Sequence, residues 1–490
     1  MKKNIWTFLI LLTWLPIWTS AQTRSISGET KKYEIAQLQF DFKILKEALI
    51  KIHPGLFWYQ TESQFEERCK HVYNEIKSPM TETDFYKLVR PLVGDVKCGH
   101  TTIWFSKPTL SYYADSIKFV PINVEIMNHK VYLTKEYSGN KNVALGAEIT
   151  AINGKKMESV LKDMEIFSIK DGENMQAAEY RQKWMFPFAF VLLYGDTATY
   201  QIDFMETSGR KSTIILNGMT DKAADKLRMA EMKKSPPLSP FRYKQIDSLS
   251  TAILTIDQFQ GKKISKFLKT SYGHLERANI ENLVIDVRRN GGGDDEFGAL
   301  LYSYIAKEQF NYYDHLEITI DNPTDTIFKY GELEPFIAKG FKRHQFQDKN
   351  NGFLDLEPSL HPNLKNAPFQ PKKNGFQKNV YILIGEECFS ATTEFCAIVH
   401  ANKRATFIGR ETGGCYCGNT SYSMFNLTLP NSGLRAFIPL VRYYMAVKTC
   451  PFGRGIQPDY PVEKSILNMV NNKDAELDFT LNLIKASRAK

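Results

Sequence analysis

Ser390 is the first residue whose type and position could support catalysis. It lies between a predicted buried strand and a predicted helix, within the run YILIGEECFSATTEFCAIV at residues 381–399. A serine held there exposes its hydroxyl beside converging backbone N–H groups, as an acyl-transfer nucleophile requires. Serine is also a favoured helix N-cap, and Thr393-Glu394 follow it in the manner of a capping box. The segment alone therefore indicates either a nucleophile or a structural cap.

A glycine-rich turn is the second such feature. An apolar strand predicted over 283–287 runs directly into RRNGGGDD at residues 288–295. Glycines there allow positive φ and a close approach of backbone amides, which suits a phosphate cradle or an oxyanion hole. The P-loop ending is missing, and Asp294, Asp295 and Glu296 would repel a phosphate. We therefore expect neutral amide donors for an oxyanion.

The first 21 residues predict a secretory signal peptide. They contain two lysines, an apolar run from Ile5 to Trp18 and the small residues of a cleavage site at Thr19-Ser20-Ala21. Pro16 interrupts the run, which is too short for a convincing membrane span. No cysteine stands at the cleavage point, so a lipid anchor is not indicated. We expect an exported protein, periplasmic or extracellular, with no membrane span after cleavage.

The composition argues against several classes of function. The net charge of +9 is dispersed among acidic residues without a basic stripe, so nucleic acid is not an expected partner. Seven cysteines are too few for a disulfide scaffold, although export permits a bridge or two. Cys415-Tyr416-Cys417 lacks zinc-knuckle spacing, there is no HExxH motif, and the nine histidines form no ligand pattern. We expect neither a metal nor a cofactor.

Residues 22–117 are predicted to be mainly helical and to carry a Gly-His motif. Apolar residues recur at three- and four-residue spacing from Tyr33 to Arg90, with helix-start signals at Thr61 and Thr81. A turn and a short strand are predicted over 94–104. His100 stands where that turn meets the strand.

Residues 118–217 predict a compact β domain, because short β-rich runs surround LGAEITAING at 145–154. This run resembles the Leu-Gly-x-x-Ile-x-x-Ile-Asn-Gly pattern of PDZ domains. The resemblance implies a domain that presents a peptide or a C-terminal tail by adding it to a sheet edge. A structural spacer with a closed groove is the alternative.

The rest of the chain predicts a linker and an α/β core. Residues 218–245 are predicted to be a linker, because a charged segment precedes SPPLSP at 235–240. Strands and helices alternate over 246–490, which indicates a layered sheet. The Pro-, Asn- and Gly-rich stretch at 306–378 predicts a lid or surface excursion. The fold class is therefore α/β, an α+β multidomain protein.

The motifs together resemble the tail-specific (C-terminal processing) serine peptidase family, and most of all its tricorn-type branch with a PDZ-like insert. They are, in the family's order, Gly99-His100-Thr101, the PDZ-like run, the glycine-rich turn, Phe389-Ser390-Ala391 and Gly455-Ile456-Gln457-Pro458-Asp459. The resemblance implies that Ser390 is the nucleophile. It also implies that the amides of Ala391, Gly291 and Gly292 form the oxyanion hole.

A serine nucleophile needs a base to remove its proton. In the processing branch the base is a lysine of a Thr-x-Gly-Lys-Gly motif, and Cys415 holds that position here. The tricorn branch uses the histidine of a Gly-His motif, so the resemblance implies His100, whose imidazole can accept and return a proton near neutral pH. Lys448 is a weaker alternative, because an exposed lysine is protonated at neutral pH.

The acid that would orient the imidazole is not located by the motifs. The tricorn-type glutamate would precede the terminal Gly-x-x-Pro-Asp motif, where this chain has Pro451-Phe452-Gly453-Arg454. Glu411 is a possible third member, and Asn419 or a backbone carbonyl could take the same role.

Two further groups of residues favour structural roles. Glu386-Glu387 are adjacent at a strand end and cannot flank one glycosidic bond, so we expect them to be solvated. Cys388 and Cys396 flank Ser390, and we expect core positions for them rather than reactivity.

The sequence therefore predicts an exported serine endopeptidase that cleaves peptides or protein C-terminal tails, with Ser390 as nucleophile and His100 as general base. The alternative is a non-catalytic protein on the same fold that binds a peptide or an apolar ligand, because a fold alone does not fix function.

Overall fold

The computed structural model of the chain describes residues 31–139, 145–319, 325–333, 346–348 and 352–488. The predicted signal peptide and part of the predicted excursion at 306–378 lie outside the described residues. Across the described ranges, no helix combines the length and apolar character that a membrane span needs. The architecture is α/β and multidomain, as the sequence predicts.

The N-terminal part is mainly helical, as expected. Its elements are β1 (Lys32–Tyr33), α1 (Ile35–Ile52), α2 (Glu62–Glu75), β2 (Met80–Thr81), α3 (Glu82–Gly94), β3 (Thr102–Trp104) and α4 (Lys107–Ser116). Helix α1 buries Leu38, Phe42, Leu45 and Leu49, which recur at helical spacing. The Thr61 and Thr81 side chains accept hydrogen bonds from the Gln64 and Asp84 amides, which satisfies N–H groups at the starts of α2 and α3.

The middle part contains an antiparallel sheet. Its elements are β4 (Ile122–Met127), β5 (Lys130–Glu136), β6 (Glu148–Ile152), β7 (Lys155–Lys156), α5 (Met157–Asp163), a 3-10 helix (Met164–Phe167), α6 (Met175–Tyr194), β8 (Thr199–Met205) and β9 (Lys211–Asn217). The strand order is β4-β5-β6-β8-β9, with β7 paired to β6. The run at 145–154 supplies β6 at the centre of this sheet.

The predicted linker contains a regular helix. Residues Asp221–Lys234 form α7, and the Thr220 side chain accepts a hydrogen bond from the Ala223 amide at its start. Most of this helix is exposed, so the sequence shows no strong apolar periodicity and resembles a solvated connection. The charged segment is therefore helical, and only the proline-rich stretch after it lacks regular structure.

The third part is built on two sheets. Its strands are β10 (Phe241–Ile246), β11 (Thr251–Ile256), β12 (Asn282–Asp286), β13 (Tyr313–Ile318), β14 (Gly331–Leu333), β15 (Phe346–Asp348), β16 (Leu354–Leu356), β17 (Asn379–Ile384), β18 (Thr406–Gly409), β19 (Gly418–Thr428), β20 (Arg435–Met445) and β21 (Tyr460–Pro461). Its helices are α8 (Lys263–Arg277), α9 (Asp295–Ser303), α10 (Pro362–Lys365), α11 (Ala391–Ala401), α12 (Ile466–Val470) and α13 (Ala475–Arg488), with 3-10 turns at Asp247–Leu249, Thr326–Tyr330 and Pro358–Leu360.

The first sheet places the predicted site loops at one edge. Its order is β10-β11-β12-β17-β18-β21, and all pairs except β10 with β11 are parallel. Because β12 and β17 are parallel neighbours, their carboxyl ends lie side by side. The glycine-rich turn follows one of these strands and Ser390 follows the other.

The second sheet brings the N-terminal part to the core. Its order is β14-β19-β20-β13-β16-β15, and β3 pairs with β20 through Trp104 and Arg435. The strand that follows His100 is therefore fixed to the hairpin of β19 and β20. Strands β13 to β16 lie within 306–378, so the described part of this stretch contributes four strands to the second sheet and is not only a surface excursion.

Candidate active site

Ser390 lies between β17 and α11 in a backbone conformation that few non-glycine residues adopt. Its φ is 53° and its ψ is −133°, and such strain costs of the order of 1–3 kcal/mol. The side chain is half-buried and makes no capping hydrogen bond to α11. The Ser390 side chain therefore does not cap the helix. Its hydroxyl is held at a strained turn.

The glycine-rich turn packs directly against Ser390. A side chain at Gly292 would place its Cβ atom 2.8 Å from both the Ser390 Cβ atom and the Phe389 carbonyl oxygen. Its φ is +106°, a conformation that glycine adopts without steric cost. The structure thus brings together the two segments that the sequence singles out for chemistry.

The backbone amides around Ser390 differ in whether they are engaged. The Gly292 N–H donates to Asn290 Oδ1 at 2.9 Å, so it is not free to stabilise an oxyanion. Among the described residues, neither the Gly291 nor the Ala391 amide donates to an acceptor. The three-donor oxyanion hole stays a prediction, and the amides of Gly291 and Ala391 are the two that are unengaged among the described residues.

His100 lies against the residue that precedes Ser390. The centroids of the His100 and Phe389 rings are 4.6 Å apart, with 31° between the ring planes. Burial, followed by the positive charge of Arg181, lowers the pKa of His100 to about 3, although the Thr420 backbone opposes this shift. The imidazole is therefore neutral at physiological pH, and its buried Nδ1 makes no hydrogen bond to any described residue.

Asp171 and Arg181 hold the His100 segment in place. The two oxygens of Asp171 accept hydrogen bonds from the Gly99 and Cys415 amides, each at 2.9 Å. The Arg181 guanidinium lies 4.4 Å from the centroid of the Phe389 ring. Burial raises the pKa of Asp171, while the two amides and Arg181 oppose that shift. This buried carboxylate thus joins the histidine turn to the segment after β18.

The possible third member Glu411 makes its hydrogen bonds to described residues other than His100. Its carboxylate accepts hydrogen bonds from Arg454 at 2.6 and 3.0 Å and from the Gly455 amide at 2.7 Å. The Asn419 side-chain amide donates to Glu394 at 2.7 Å, but its buried Oδ1 makes no hydrogen bond to the described residues. Asn419 and a backbone carbonyl therefore both stay predictions, and Thr420 is the residue whose backbone lies beside the ring.

The core of the chain matches a known peptidase family. Residues 250–462 match the sequence model of peptidase family S41. These residues form an S41 peptidase domain. The chain is accordingly a serine-type peptidase, and the predicted resemblance to the tail-specific family is confirmed. No curated protein matches the sequence.

The S41 peptidase shares its fold with solved structures of CPAF. Mature CPAF has a TM-score of 0.60 at 13% identity, over 89% of this chain and 94% of that chain. A serine-to-alanine mutant of CPAF has a TM-score of 0.62 at 12% identity, over 89% and 94%. Mature CPAF complexed with lactacystin has a TM-score of 0.62 at 12% identity, over 92% and 98%. At such low identity the likeness shows the fold alone.

Sequence reasoning misses the residues that support the site of this S41 peptidase. Asp171 precedes a glycine in the middle part, where an Asp-Gly pair resembles an ordinary turn. His53 is buried; its Nδ1 accepts from the Gly55 amide at 3.0 Å and its Nε2 lies 2.7 Å from Thr101 Oγ1. In the sequence, the run His53-Pro54-Gly55 could have drawn attention to His53. Only the tertiary structure places this run beside the His100 turn.

Several expected residues have structural roles in the S41 peptidase. Cys415, at the lysine position of the processing branch, is buried, and its sulfur accepts a hydrogen bond from Tyr59 at 3.4 Å. Lys448 is exposed. Cys388 and Cys396 are buried, and burial raises the pKa of both thiols. A disulfide joins Cys417 to Cys450.

The expectation that Glu386 is solvated is wrong. Its side chain is 7% exposed and pairs with Arg410 at 2.9 Å and with Lys464. Burial alone would raise its pKa, but Lys464 and Arg410 together lower the pKa of Glu386 to about 2. Lys464 is 78 residues distant in sequence, so the adjacent Glu-Glu pair gave no sign of these partners.

Among the described residues, three side chains could offer ligands to a metal ion. The ligand atoms of His315, Glu317 and Asp355 lie within 4.8 Å of one another. Arg442 already pairs with Glu317, and Asp314 pairs with His315 at 2.6 Å. The positive charge of Arg442 already neutralises Glu317, so we assign no metal ion to this cluster.

Proposed function

We propose that this S41 peptidase is an exported serine endopeptidase that cleaves peptides or protein C-terminal tails, with Ser390 as nucleophile and His100 as general base. The observation that carries the proposal is the contact between the His100 and Phe389 rings. This contact places a neutral imidazole beside the strained turn that presents Ser390.

The proposed reaction follows from the chemistry of these groups. The Ser390 oxygen attacks the scissile carbonyl carbon while the His100 ring accepts the hydroxyl proton. The Gly291 and Ala391 amides stabilise the negative charge that develops on the carbonyl oxygen. His100 then donates the proton to the leaving amine, and water hydrolyses the resulting ester by the same steps.

The neutral imidazole supports this assignment. A general base must be unprotonated to act, and burial, followed by the charge of Arg181, lowers the pKa of His100 to about 3. It is therefore competent as a base across the whole physiological range, although its low basicity makes it a weaker proton acceptor than an ordinary histidine. A neutral acceptor, the Thr420 backbone or Asn419 Oδ1, is proposed to take the orienting role that the resemblance gives to an acid.

The middle sheet is proposed to present substrate. Its central strand β6 carries the PDZ-like run, and its helix α6 carries Arg181, which lies over the Phe389 ring. A peptide held by this part of the molecule would thus lie near the nucleophile. Export rests on the signal peptide that the first 21 residues predict.

Covalent labelling tests the proposal. A fluorophosphonate should modify Ser390 of the wild-type protein, with the adduct located by mass spectrometry of proteolytic fragments. Ser390→Ala should lower turnover of an unstructured protein substrate by about a millionfold, as removal of a catalytic serine does in other peptidases. Ser487→Ala, which removes an exposed hydroxyl on α13, is the control and should leave turnover unchanged.

The outcomes separate the two classes of function. An adduct on Ser390 together with loss of turnover in Ser390→Ala supports the peptidase site. Peptide binding by the wild-type protein without an adduct or cleavage would favour the non-catalytic binding protein. Cleavage by Ser390→Ala at the wild-type rate would refute the assignment of the nucleophile.

A further inference from the structure

A network of buried, hydrogen-bonded polar side chains begins on the helix that follows Ser390. Tyr313 lies between two carboxyl groups, with its hydroxyl oxygen 2.6 Å from Glu394 Oε2 and 2.6 Å from Asp295 Oδ2. His361 Nε2 lies 3.3 Å from the same Asp295 oxygen. Asn419 donates to the other oxygen of Glu394 at 2.7 Å. None of these groups takes part in the proposed reaction.

The number of hydrogen atoms in this network limits which of its contacts can be hydrogen bonds. A tyrosine hydroxyl has one hydrogen and so can donate to one carboxylate only. Both Tyr313 contacts have hydrogen-bonding lengths to carboxyl oxygens. The second contact therefore needs a hydrogen supplied by the carboxyl group itself. One of the two acids, Asp295 or Glu394, must be protonated for this arrangement to exist.

The position of His361 decides which acid holds the proton. His361 Nδ1 accepts a hydrogen bond from the Asn363 amide at 3.3 Å, so its hydrogen is on Nε2 and points to Asp295. Asp295 thus receives donors from both His361 and Tyr313, and these two residues lower its pKa against the effect of burial. Burial and the nearby Asp295 charge raise the pKa of Glu394 to about 7. The proton resides on Glu394.

Glu394 is joined to both halves of the proposed site. Its backbone amide donates to the Ser390 carbonyl at 3.1 Å, so Glu394 lies in the first turn after the nucleophile. Its side chain holds Asn419, which precedes Thr420 on β19. The Thr420 hydroxyl lies 2.8 Å from Cys98 Sγ, and its backbone lies beside the His100 ring.

We propose that Glu394 is a positioning residue of the active site and keeps the Ser390 turn and the His100 segment in register only while it carries a proton. The inference rests on the proposed function of these two residues. When Glu394 ionises, the Tyr313 hydrogen can serve only one of two carboxylates. The unserved contact becomes repulsive at 2.6 Å, and the first turn of α11 moves relative to β19.

Other charged and titratable groups face Glu394 from the elements packed against it. They are Asp295 on α9, Tyr312 immediately before β13, Tyr313 on β13, Tyr443 on β20 and His361. Burial raises the pKa of the three tyrosines well above the ordinary value, so they remain neutral. His361 also titrates, and a variant of Glu394 alone separates its effect from that of Glu394.

The test is a pH profile of kcat/KM and of fluorophosphonate labelling between pH 5 and 9. Because the active form is the protonated one, wild-type activity should be full below the pKa of Glu394 and should fall tenfold per pH unit above it. In Glu394→Gln the side-chain amide donates to Tyr313 and its oxygen accepts from Asn419, as in the protonated acid. This variant should keep the low-pH activity within about threefold and lose the fall.

A control and a second measurement complete the test. Glu296→Gln, which removes the exposed acid on α9, should keep the wild-type profile. Infrared spectroscopy of the wild-type protein should show a protonated carboxyl band that disappears over the same pH range as activity and is missing in Glu394→Gln. This measurement does not depend on turnover, and it applies even if Glu394→Gln fails to fold.

The results distinguish the two proposals. A Glu394→Gln profile with the wild-type fall, a loss equal at every pH, or a wild-type protein without the carboxyl band would overturn the role of Glu394. If the wild-type protein shows neither labelling nor cleavage at any pH, the proposed function fails instead. In that case the infrared band alone reports whether Glu394 holds its proton.

Discussion

At the scale of single residues, the candidate site depends on groups that hold the histidine turn. Asp171 accepts hydrogen bonds from the amides of two segments that are far apart in sequence, at Gly99 and Cys415. A carboxylate is suited to this task because both of its oxygens are acceptors. The position of His100 relative to Phe389 therefore depends on a residue from the middle part of the chain.

Asp171→Asn should impair catalysis without abolishing the fold. One of the two acceptor positions becomes an NH₂ group that faces a backbone N–H, so one hydrogen bond is lost and a donor is left buried and unpaired. The cost in unfolding free energy should be about 2 kcal/mol. The displaced histidine turn should lower kcat/KM by about 10- to 100-fold, as measured by peptide cleavage and by the rate of Ser390 labelling.

The neighbouring Glu173→Gln is the matched control for this change. Glu173 lies in the same loop, is 55% exposed and pairs with Lys97. Its substitution should change both measurements little, because exposed ion pairs contribute no more than about 1 kcal/mol. Equal activity of Asp171→Asn and the wild-type protein would exclude a role for Asp171 in positioning His100.

At the scale of secondary structure, two neighbouring parallel strands explain why Ser390 meets the glycine-rich turn. Strands β12 and β17 pair in register from Asn282 with Asn379 to Asp286 with Leu383. Their carboxyl ends therefore project loops to the same edge, the usual position of sites in such sheets. The contact between these loops leaves no room for a Cβ atom at Gly292.

Gly292→Ala should displace the nucleophile. Its new methyl group would lie 2.8 Å from the Ser390 Cβ atom, and backbone of either segment would have to move. A displacement of about 1 Å can lower turnover by roughly 100-fold. Peptide cleavage by Gly292→Ala should therefore fall by at least that factor, while circular dichroism shows a folded protein.

Gly261→Ala separates backbone strain from steric contact. Gly261 also has a positive φ, of +84°, but no atom of the described residues lies within 4 Å of the position that its Cβ atom would take. This variant should lose about 1–2 kcal/mol of unfolding free energy and keep wild-type cleavage. Loss of activity in both variants to the same extent would show that the contact with Ser390 is not the cause.

At the scale of the whole molecule, buried ion pairs connect the middle sheet with the first sheet of the third part, which is the core of the peptidase. Lys464 pairs with Glu125 on β4 at 3.1 Å and with Glu386 after β17. Arg410, after β18, pairs with Glu386 at 2.9 Å and with Glu476 on α13 at 2.6 Å. These groups lie at the strand ends that also carry the site loops.

Glu386→Gln should destabilise the protein strongly, because it leaves two buried cations with fewer partners. Breaking a buried ion pair costs about 3–5 kcal/mol, and we expect the lower end of this range, since Glu125 and Glu476 remain. The pKa of Glu386 is lowered to about 2. Its stabilisation is therefore present above the pKa of an ordinary glutamate and is lost as the pH falls towards 2. Urea unfolding at pH 7 and pH 3 measures both effects.

Glu281→Gln is the exposed counterpart of this change. Glu281 pairs with Lys378 at 2.7 Å, with side-chain exposures of 46% and 39%. Its loss should cost less than about 1 kcal/mol at either pH. If Glu386→Gln were no more destabilising than Glu281→Gln, the ion pairs at the strand ends would not hold the middle sheet and the core together.

The sequence by itself determined the local elements and the order of the motifs. Helical periodicity predicted α1, and apolar runs predicted the bounds of β11, β12 and β17 within a residue or two. These signals depend only on residues that lie close together in the sequence. Strand–turn–helix patterning singled out Ser390. Exposed helix α7 was missed, since a solvated helix leaves no apolar stripe.

Only the tertiary structure decided which polar groups meet. The partners of Glu386, Glu411 and Asp171 come from segments that are distant in the chain. The sequence does not show whether a given carboxylate is solvated or buried. The count of hydrogens around Tyr313 likewise depends on two acids lying 2.6 Å from one hydroxyl. Hydrogen bonds and ion pairs act over a few ångströms, so their partners are fixed by packing and not by spacing in the sequence.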